Sequence, residues 1–297
     1  MKPSKKQSLI LTFTMSLLAA GCSKLVGANS LPSPENSLSA LSSKSDSKDS
    51  SLSKQDVWVW DYIKNQKKDG YKHLLRKYDK AVEQTQKIET PTVEVLSLEE
   101  KNGGIQTRIN ENKQQEILMV TWTKKRYYTD KTAKLNRVTW VTAKPQVYSF
   151  CNQTSGLGGN LSDLSREMML DLRLTQYLGL KPDGSRQDEK NYDSFVEVWV
   201  KKENLRRPCS DQSIDTKKCS KIEPEKMQKL RDKFLGENIK DYPFTGLGYT
   251  YDWGKPSPVG PSEFVIEASK EKPVEVKVHS VTSTKDYCKN NKISAPQ

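Results

Sequence analysis

The segment QEILMVTWT, residues 115–123, has the pattern of a β-strand. Its β-branched and aromatic residues favour an extended strand, and the pair Asn102-Gly103 ahead of it fits a tight hairpin turn. Similar short runs flank this stretch and are separated by turn residues: TVEVLSL (92–98), GIQTRI (104–109) and RVTWVTA (137–143). The sequence therefore predicts a meander of antiparallel strands that carries Trp122 and Trp140.

Apolar residues recur every three or four positions in three segments outside this meander, which predicts helices with one packing face each. These segments are 71–86, 160–178 and 224–235. Asp69 and Gly70 separate the first helix from a preceding segment of ambiguous period. Asn160 is placed to cap the second helix, and Gly179 is placed to end it in a left-handed conformation.

Strand periodicity returns towards the end of the chain, in SFVEVWV (194–200), EFVIEA (263–268) and VEVKVHSV (274–281). The predicted fold class is therefore α+β: an antiparallel sheet with two or three packed helices, linked by disulfides. A disordered N-terminal tether precedes this domain, because a serine-rich segment without an apolar face cannot bury enough surface to fold.

The chain begins as a secretory signal. A cationic head precedes the apolar run 9–20, which is shorter than the roughly 20 residues that a membrane-spanning helix needs. The segment LAAGC, 18–22, resembles the lipobox of bacterial lipoproteins. That resemblance implies cleavage before Cys22, lipidation of its thiol (palmitate or a similar acyl chain) and attachment to a membrane. Ser23, rather than aspartate, implies the outer membrane if the source is Gram-negative; the alternative is an ordinary secretory signal in which Cys22 is incidental.

Four segments follow from this reading. They are a lipoprotein signal peptide (1–21), a lipidated cysteine with a serine-rich disordered tether (22–55), an α+β domain (56–290) and a C-terminal tail (291–297). The formal charge of the whole chain is +12, and the signal contains three lysines and no acid, which leaves +9 on the mature chain. Such a charge favours anionic envelope polymers as ligands. No basic segment forms a nucleic-acid motif, so we expect no nucleic acid as a partner.

Four cysteines besides Cys22 form an even set in an exported chain, which predicts two disulfides. Three pairings are possible. We favour Cys209 with Cys219, because the ten-residue segment between them is polar and turn-rich, and hence Cys151 with Cys288. No pair has the spacing of a zinc ribbon or finger, so we expect neither a metal nor a cofactor.

The segment GLGYTYDWG, 246–254, combines an acid with aromatic residues and glycines. Tyr249, Tyr251 and Trp253 are candidates to stack on sugar rings, and Asp252 is the first carboxylate to inspect for hydrolysis. The competing interpretation is a strand and turn whose aromatic side chains pack in the core.

His73 and His279 are the two histidines, and neither lies in a pattern typical of a catalytic triad. Between residues 140 and 266 the chain resembles a group of exported bacterial proteins. This resemblance implies no activity for the chain. We expect a non-catalytic domain on a membrane-anchored envelope lipoprotein that binds an anionic glycan or a protein partner. The alternatives are a secreted hydrolase that uses carboxylates near Asp252, and a structural lipoprotein of an envelope complex.

Overall fold

The structure, a computed structural model, describes seven stretches of the chain, all within one compact unit, Ser51–Gln297. The stretches are 58–87, 93–99, 104–153, 164–182, 192–220, 222–236 and 241–290. The predicted signal, the tether with Cys22, the C-terminal tail and the Asn102-Gly103 turn lie outside the described residues.

Eight of the ten described strands form one antiparallel sheet, and two form a separate ribbon. The strands are β1 Thr107–Ile109, β2 Gln115–Thr123, β3 Thr132–Leu135, β4 Thr139–Ala143, β5 Ser194–Lys201, β6 Leu205–Arg206, β7 Tyr249–Tyr251, β8 Val259–Ser262, β9 Phe264–Ile266 and β10 Val274–Ser283. The order of the sheet is β3-β10-β5-β2-β4-β9-β6, with β1 also paired to β2, and β7 pairs with β8. The α+β class and the antiparallel sheet are therefore confirmed.

Strand β2, which the segment QEILMVTWT forms, lies in the middle of this sheet. It pairs with β5 along its length, from Glu116 opposite Lys201 to Thr123 opposite Ser194. The five residues from Glu116 to Val120 are all buried, although successive side chains point to opposite faces. The centre of the sheet is therefore covered on both faces.

Six α-helices occur in the described residues, more than the two or three that the sequence predicts. They are α1 Val59–Gln66, α2 Lys68–Gln86, α3 Lys144–Gln153, α4 Arg166–Tyr177, α5 Pro224–Leu235 and α6 Thr284–Asn290. The break between α1 and α2 is at Lys67, so Asp69 and Gly70 lie inside α2. A glycine inside a helix costs about 1 kcal/mol relative to alanine, and burial of Leu74 and Tyr78 on the same helix offsets that cost.

Two local predictions are wrong in detail. Helix α4 is capped by Ser165, whose Oγ accepts a hydrogen bond from the backbone N–H of Met168 at 3.2 Å, and the expected cap Asn160 lies outside the described residues. The segment 93–99 forms only an isolated bridge, between Glu94 and Lys218, instead of a strand of the sheet. The predicted left-handed end of α4 is confirmed, since Gly179 has φ +66°.

The apolar core is divided between the two faces of the sheet. One face holds side chains from β2, β4, β5, β9 and β10, including Ile117, Met119, Val198 and Phe264. On the other face, α3, α4 and α6 cover Val120 and Phe195, and α5 covers Val265. A further cluster joins α1, α2 and α4 to the ribbon formed by β7 and β8.

Two disulfides join Cys151 to Cys288 and Cys209 to Cys219, which is the pairing that the sequence favours. The first links α3 to α6, across 137 residues of chain. The second closes a loop with a separation of 10 residues. In the chain-entropy model such loops contribute about 5 and about 3 kcal/mol to stability, respectively.

Candidate functional site

The four residues that the sequence proposes as a ligand site lie in the interior. The exposed fractions are 4% for Tyr249, 7% for Tyr251, 0% for Asp252 and 5% for Trp253. Tyr251 donates its hydroxyl hydrogen bond to Gln84 Oε1, and Trp253 Nε1 donates to the backbone oxygen of Leu180 at 3.0 Å. The segment is a core strand and turn, so it does not offer an open surface to a sugar.

Asp252 is neutralised by a buried arginine from α4. Arg173 Nη1 lies 2.9 Å from Oδ1, and Nη2 lies 2.8 Å from Oδ2. The backbone N–H of Gly254 donates a third hydrogen bond to Oδ1, at 3.0 Å. Because both carboxylate oxygens are used, Asp252 offers neither a proton nor a free base, and the hydrolase proposed around it loses its main carboxylate.

A second buried acid, Glu197 of β5, is also fully partnered. Tyr287 donates to Oε1 at 2.9 Å, Ser280 donates to Oε2 at 3.0 Å, and Lys144 Nζ lies 2.9 Å from Oε1. Burial alone would lower the pKa of Lys144, but its hydrogen bonds to Tyr148 and Glu197 raise that pKa above its ordinary value. This network ties α3 and α6 to the sheet, which makes it a structural element of the fold.

Among the described residues, neither histidine lies in a Ser-His-acid triad. His73 is exposed on α2. His279 is 45% exposed in its side chain, with Nε2 at 3.8 Å from Glu197 Oε2, at the edge of the Glu197 network. Within the described stretches, no cluster of three or more His, Cys, Asp or Glu is placed to hold a metal ion.

A cleft opens where β2 and β4 diverge. These strands pair at two positions, Met119 with Ala143 and Val120 with Thr142, and residues beyond both pairs line the cleft. The end of α5 and the chain that follows α4 complete its walls. Its volume of about 930 Å³ falls in the range of small-molecule and oligosaccharide sites.

Aromatic side chains supply much of the cleft wall. Trp122 is half-buried and held by a hydrogen bond from Nε1 to Thr284 Oγ1, at 2.9 Å. Trp140 is half-buried and packs on Tyr242, with ring centroids 6.1 Å apart. The aromatic residues that line the cleft and keep some surface are Trp122, Tyr127, Trp140, Tyr192 and Tyr242. Rigid rings with a free face are suited to packing against a sugar or another flat ligand.

Basic side chains stand at the cleft's rim. Lys134 and Arg137, from β3 and the turn after it, are exposed and have no ion-pair partner among the residues described. Lys233 of α5 is exposed too, but its Nζ lies 2.9 Å from Glu267 Oε1, so part of its charge is compensated. Asp130 is the one exposed acid in the described lining, so Lys134 and Arg137 leave the rim with a net positive charge.

Glu263, which directly precedes β9, lies at the bottom of the cleft. It is 3% exposed, and its Oε2 has no hydrogen-bond partner in the described part of the chain. Side chains alternate along a strand, so Glu263 shares a face with Val265, whose partner on β4 is Trp140. Burial raises the pKa of Glu263 to about 8.

A second surface depression, of about 730 Å³, lies beside the Cys209–Cys219 loop. None of the described residues that line it is aromatic. Three cations line it, Lys201, Lys202 and Arg206. Lys202 is paired with Glu99, its Nζ lies 3.6 Å from Asp215 Oδ2, and Arg206 Nε lies 3.3 Å from Glu267 Oε2. We therefore regard the cleft as the candidate functional site.

Sequence reasoning found part of the cleft wall and missed its floor. It placed Trp122 and Trp140 on strands, and both residues line the cleft. It gave no sign of Glu263. No family model matches this chain, and neither a curated protein nor a solved structure matches it. None of the described helices is long and apolar enough to cross a membrane.

Proposed function

We propose that this protein is a lipid-anchored lipoprotein of the bacterial envelope whose folded domain binds an anionic glycan in the cleft. The observation that carries the proposal is the combination in one cleft of half-buried tryptophans with two exposed cations, Lys134 and Arg137, that have no ion-pair partner among the described residues. Binding without turnover is favoured because the two partnered buried acids, Asp252 and Glu197, are held by donors and lie outside the cleft lining.

The proposed location of the protein in the cell rests on its sequence and is supported by its disulfides. The LAAGC segment at 18–22 carries the resemblance to bacterial lipoproteins, with Cys22 as the lipidated residue. Two disulfides fit an oxidising compartment outside the cytoplasm. Ser23 favours the outer membrane in a Gram-negative cell. Two or more acyl chains would hold the protein stably, since one chain binds reversibly.

The chemistry of the cleft supports an acidic sugar polymer as the ligand. Trp122 and Trp140 are half-buried in the cleft lining, and the flat apolar face of an indole ring suits the apolar side of a sugar ring. Lys134 and Arg137 would meet carboxylate or phosphate groups on neighbouring units, an attraction that salt weakens. The net positive charge of the chain would also favour approach to an anionic polymer.

Binding can be tested on the full-length protein in neutral detergent by calorimetry, with an oligogalacturonate hexamer as the acidic probe and maltohexaose as the neutral one. We expect binding of the acidic probe at low salt, and about tenfold weaker binding by Lys134→Ala/Arg137→Ala. The matched control is Lys226→Ala/Lys229→Ala, which removes the same charge from the exposed face of α5. Equal losses in both double variants would mean that the cleft is not the binding site.

The anchor requires a separate test in cells. Radiolabelled palmitate should appear on the wild-type chain and not on a Cys22→Ser variant, and that variant should leave the membrane fraction. Identical processing and location of the two chains would contradict the lipoprotein assignment.

A further inference from the structure

Glu263 is a buried polar group that the described part of the protein leaves unpaired. Its Oε2 is fully covered and has no hydrogen-bond partner within the described stretches. Leaving a buried acceptor unpaired costs about 1–3 kcal/mol, and native proteins retain few such groups. The other two acids discussed above, Asp252 and Glu197, show that this fold can supply donors where a buried acid is structural.

The surroundings of Glu263 restrict what could satisfy it. Its neighbour on the same face, Val265, packs in an apolar cluster with Phe234 and Phe244, and Trp140 packs against that cluster. A ligand group that reaches the carboxyl group of Glu263 from the cleft must therefore form hydrogen bonds with it while the rest of that group lies against apolar side chains. The acetamido group of an amino sugar meets both conditions, because its amide N–H and C=O can bond the carboxyl group and its methyl group can lie against the apolar side chains.

A cationic ligand fits the cleft less well. Lys134, Arg137 and Lys233 line it against one exposed acid, Asp130, so the net positive charge of the lining would repel an ammonium group. Burial also raises the pKa of Glu263 to about 8, so at pH 7 the carboxyl group is mostly protonated and offers little charge to a cation. The neutral group still has a carbonyl oxygen that can accept an N–H.

We propose that Glu263 is the specificity-determining residue of the cleft and accepts a hydrogen bond from the amide N–H of an N-acetylated amino sugar within an acidic glycan. The acidic groups of the same glycan meet Lys134 and Arg137 at the rim. This inference rests on the proposed function and narrows its ligand to acidic glycans that contain acetamido groups.

Four hexasaccharides separate the requirements, each titrated into the full-length protein at pH 7 and low salt. Hyaluronan carries acid and amide groups, oligogalacturonate carries acid alone, chitohexaose carries amide alone, and a fully deacetylated chitosan hexamer carries amines. We expect hyaluronan to bind about tenfold more tightly than any other probe, because a site built to bond an N–H rejects ligands without it.

Two variants assign that selectivity to Glu263. Glu263→Met keeps the length of the side chain and removes the acceptor, so hyaluronan binding should fall about tenfold, while oligogalacturonate binding changes less than about twofold. Glu263→Gln retains an acceptor oxygen and should keep the preference for hyaluronan. Thermal melts check that both variants fold, and the selectivity of the wild type tests the proposal even if one does not.

The outcomes distinguish the two proposals. Equal binding of hyaluronan and oligogalacturonate by the wild type, or equal losses for both in Glu263→Met, would overturn the role of Glu263 and leave the proposed function intact. If the chitosan hexamer bound most tightly, the group that Glu263 recognises would be a cation instead of an amide, and the role proposed for Glu263 would also be overturned. Binding of neither acidic probe would overturn the proposed function and this inference together.

Discussion

Asp252 and Glu263 are buried to nearly the same extent, with exposed fractions of 0% and 3%, yet their surroundings are opposite. Asp252 lies where α4 meets the turn after β7, and Arg173 saturates both of its oxygens. Glu263 lies where β4 and β9 meet the cleft, and its Oε2 has no partner among the residues that the structure describes. The first acid stabilises the fold through its ion pair. Burial of the second acid without a partner lowers the stability of the fold, and packing alone does not explain why it is there.

The difference shows which property of a buried acid indicates function. Burial and an aromatic setting are common to both sites, since Tyr251 and Trp253 flank Asp252 in the chain and Trp140 lies on the face of Glu263. What differs is the number of donors that the protein provides. A buried acid with a full set of donors is explained by the fold, and one without them leaves room for a ligand.

The largest expected effect is at the partnered acid. Asp252→Ala would leave the guanidinium of Arg173 buried without its counterion, and breaking such a pair costs about 3–5 kcal/mol. Urea unfolding at pH 7 would measure the loss as a lower midpoint at an unchanged slope. A loss below about 1 kcal/mol would show that Arg173 finds water or another acceptor, and the contrast between the two acids would weaken.

The double variant Arg173→Met/Asp252→Ala sharpens that measurement. It removes both charges, so it should recover much of the stability that Asp252→Ala loses, because the penalty comes from the uncompensated charge. If the double variant were less stable than the single variant, packing of the side chains, rather than charge, would account for the loss.

The fold could be predicted from the sequence where a local pattern matched the packing. β2, β5 and β10 were found because their β-branched runs lie in a sheet. Helix α6 was missed although Ser283 and Asp286 form a cap, in which Asp286 N–H donates to Ser283 Oγ at 3.1 Å. Helix α3 follows β4 without a break, and Pro145 in its first turn is the one local signal of its start.

The candidate site could not be predicted, because its partners are distant in the chain. Arg173 is 79 residues from Asp252, and no local feature near Asp252 announces that pairing. In EFVIEA, strand alternation groups Glu263 with Val265 and Glu267, a pattern typical of an exposed face. Glu267 fits this pattern, since its side chain is 36% exposed. Glu263 does not fit it, because the face that it shares with Val265 is packed under α5 and Phe244.

The smallest effect is expected when Glu263 becomes glutamine, and it should depend on pH. Below pH 4.5, the ordinary pKa of glutamate, the carboxyl group is protonated in both the folded and the unfolded chain, so the stabilities of wild type and Glu263→Gln should agree within about 1 kcal/mol. Between pH 4.5 and about 8 the unfolded chain loses this proton first, because burial raises the pKa in the folded chain, and the wild type should become progressively less stable than the variant.

Above pH 8 this difference should level off at about 1–3 kcal/mol, since water that enters the cleft screens part of the ionised charge. Tyr242 and Tyr249 face Glu263, but burial raises the pKa of each hydroxyl, so both stay neutral over this range and do not produce the change. Urea midpoints at pH 4.5, 6, 7.5 and 9 would trace the difference. A flat difference across these values would mean that Glu263 is paired or hydrated in solution, and the contrast with Asp252 would lose its physical basis.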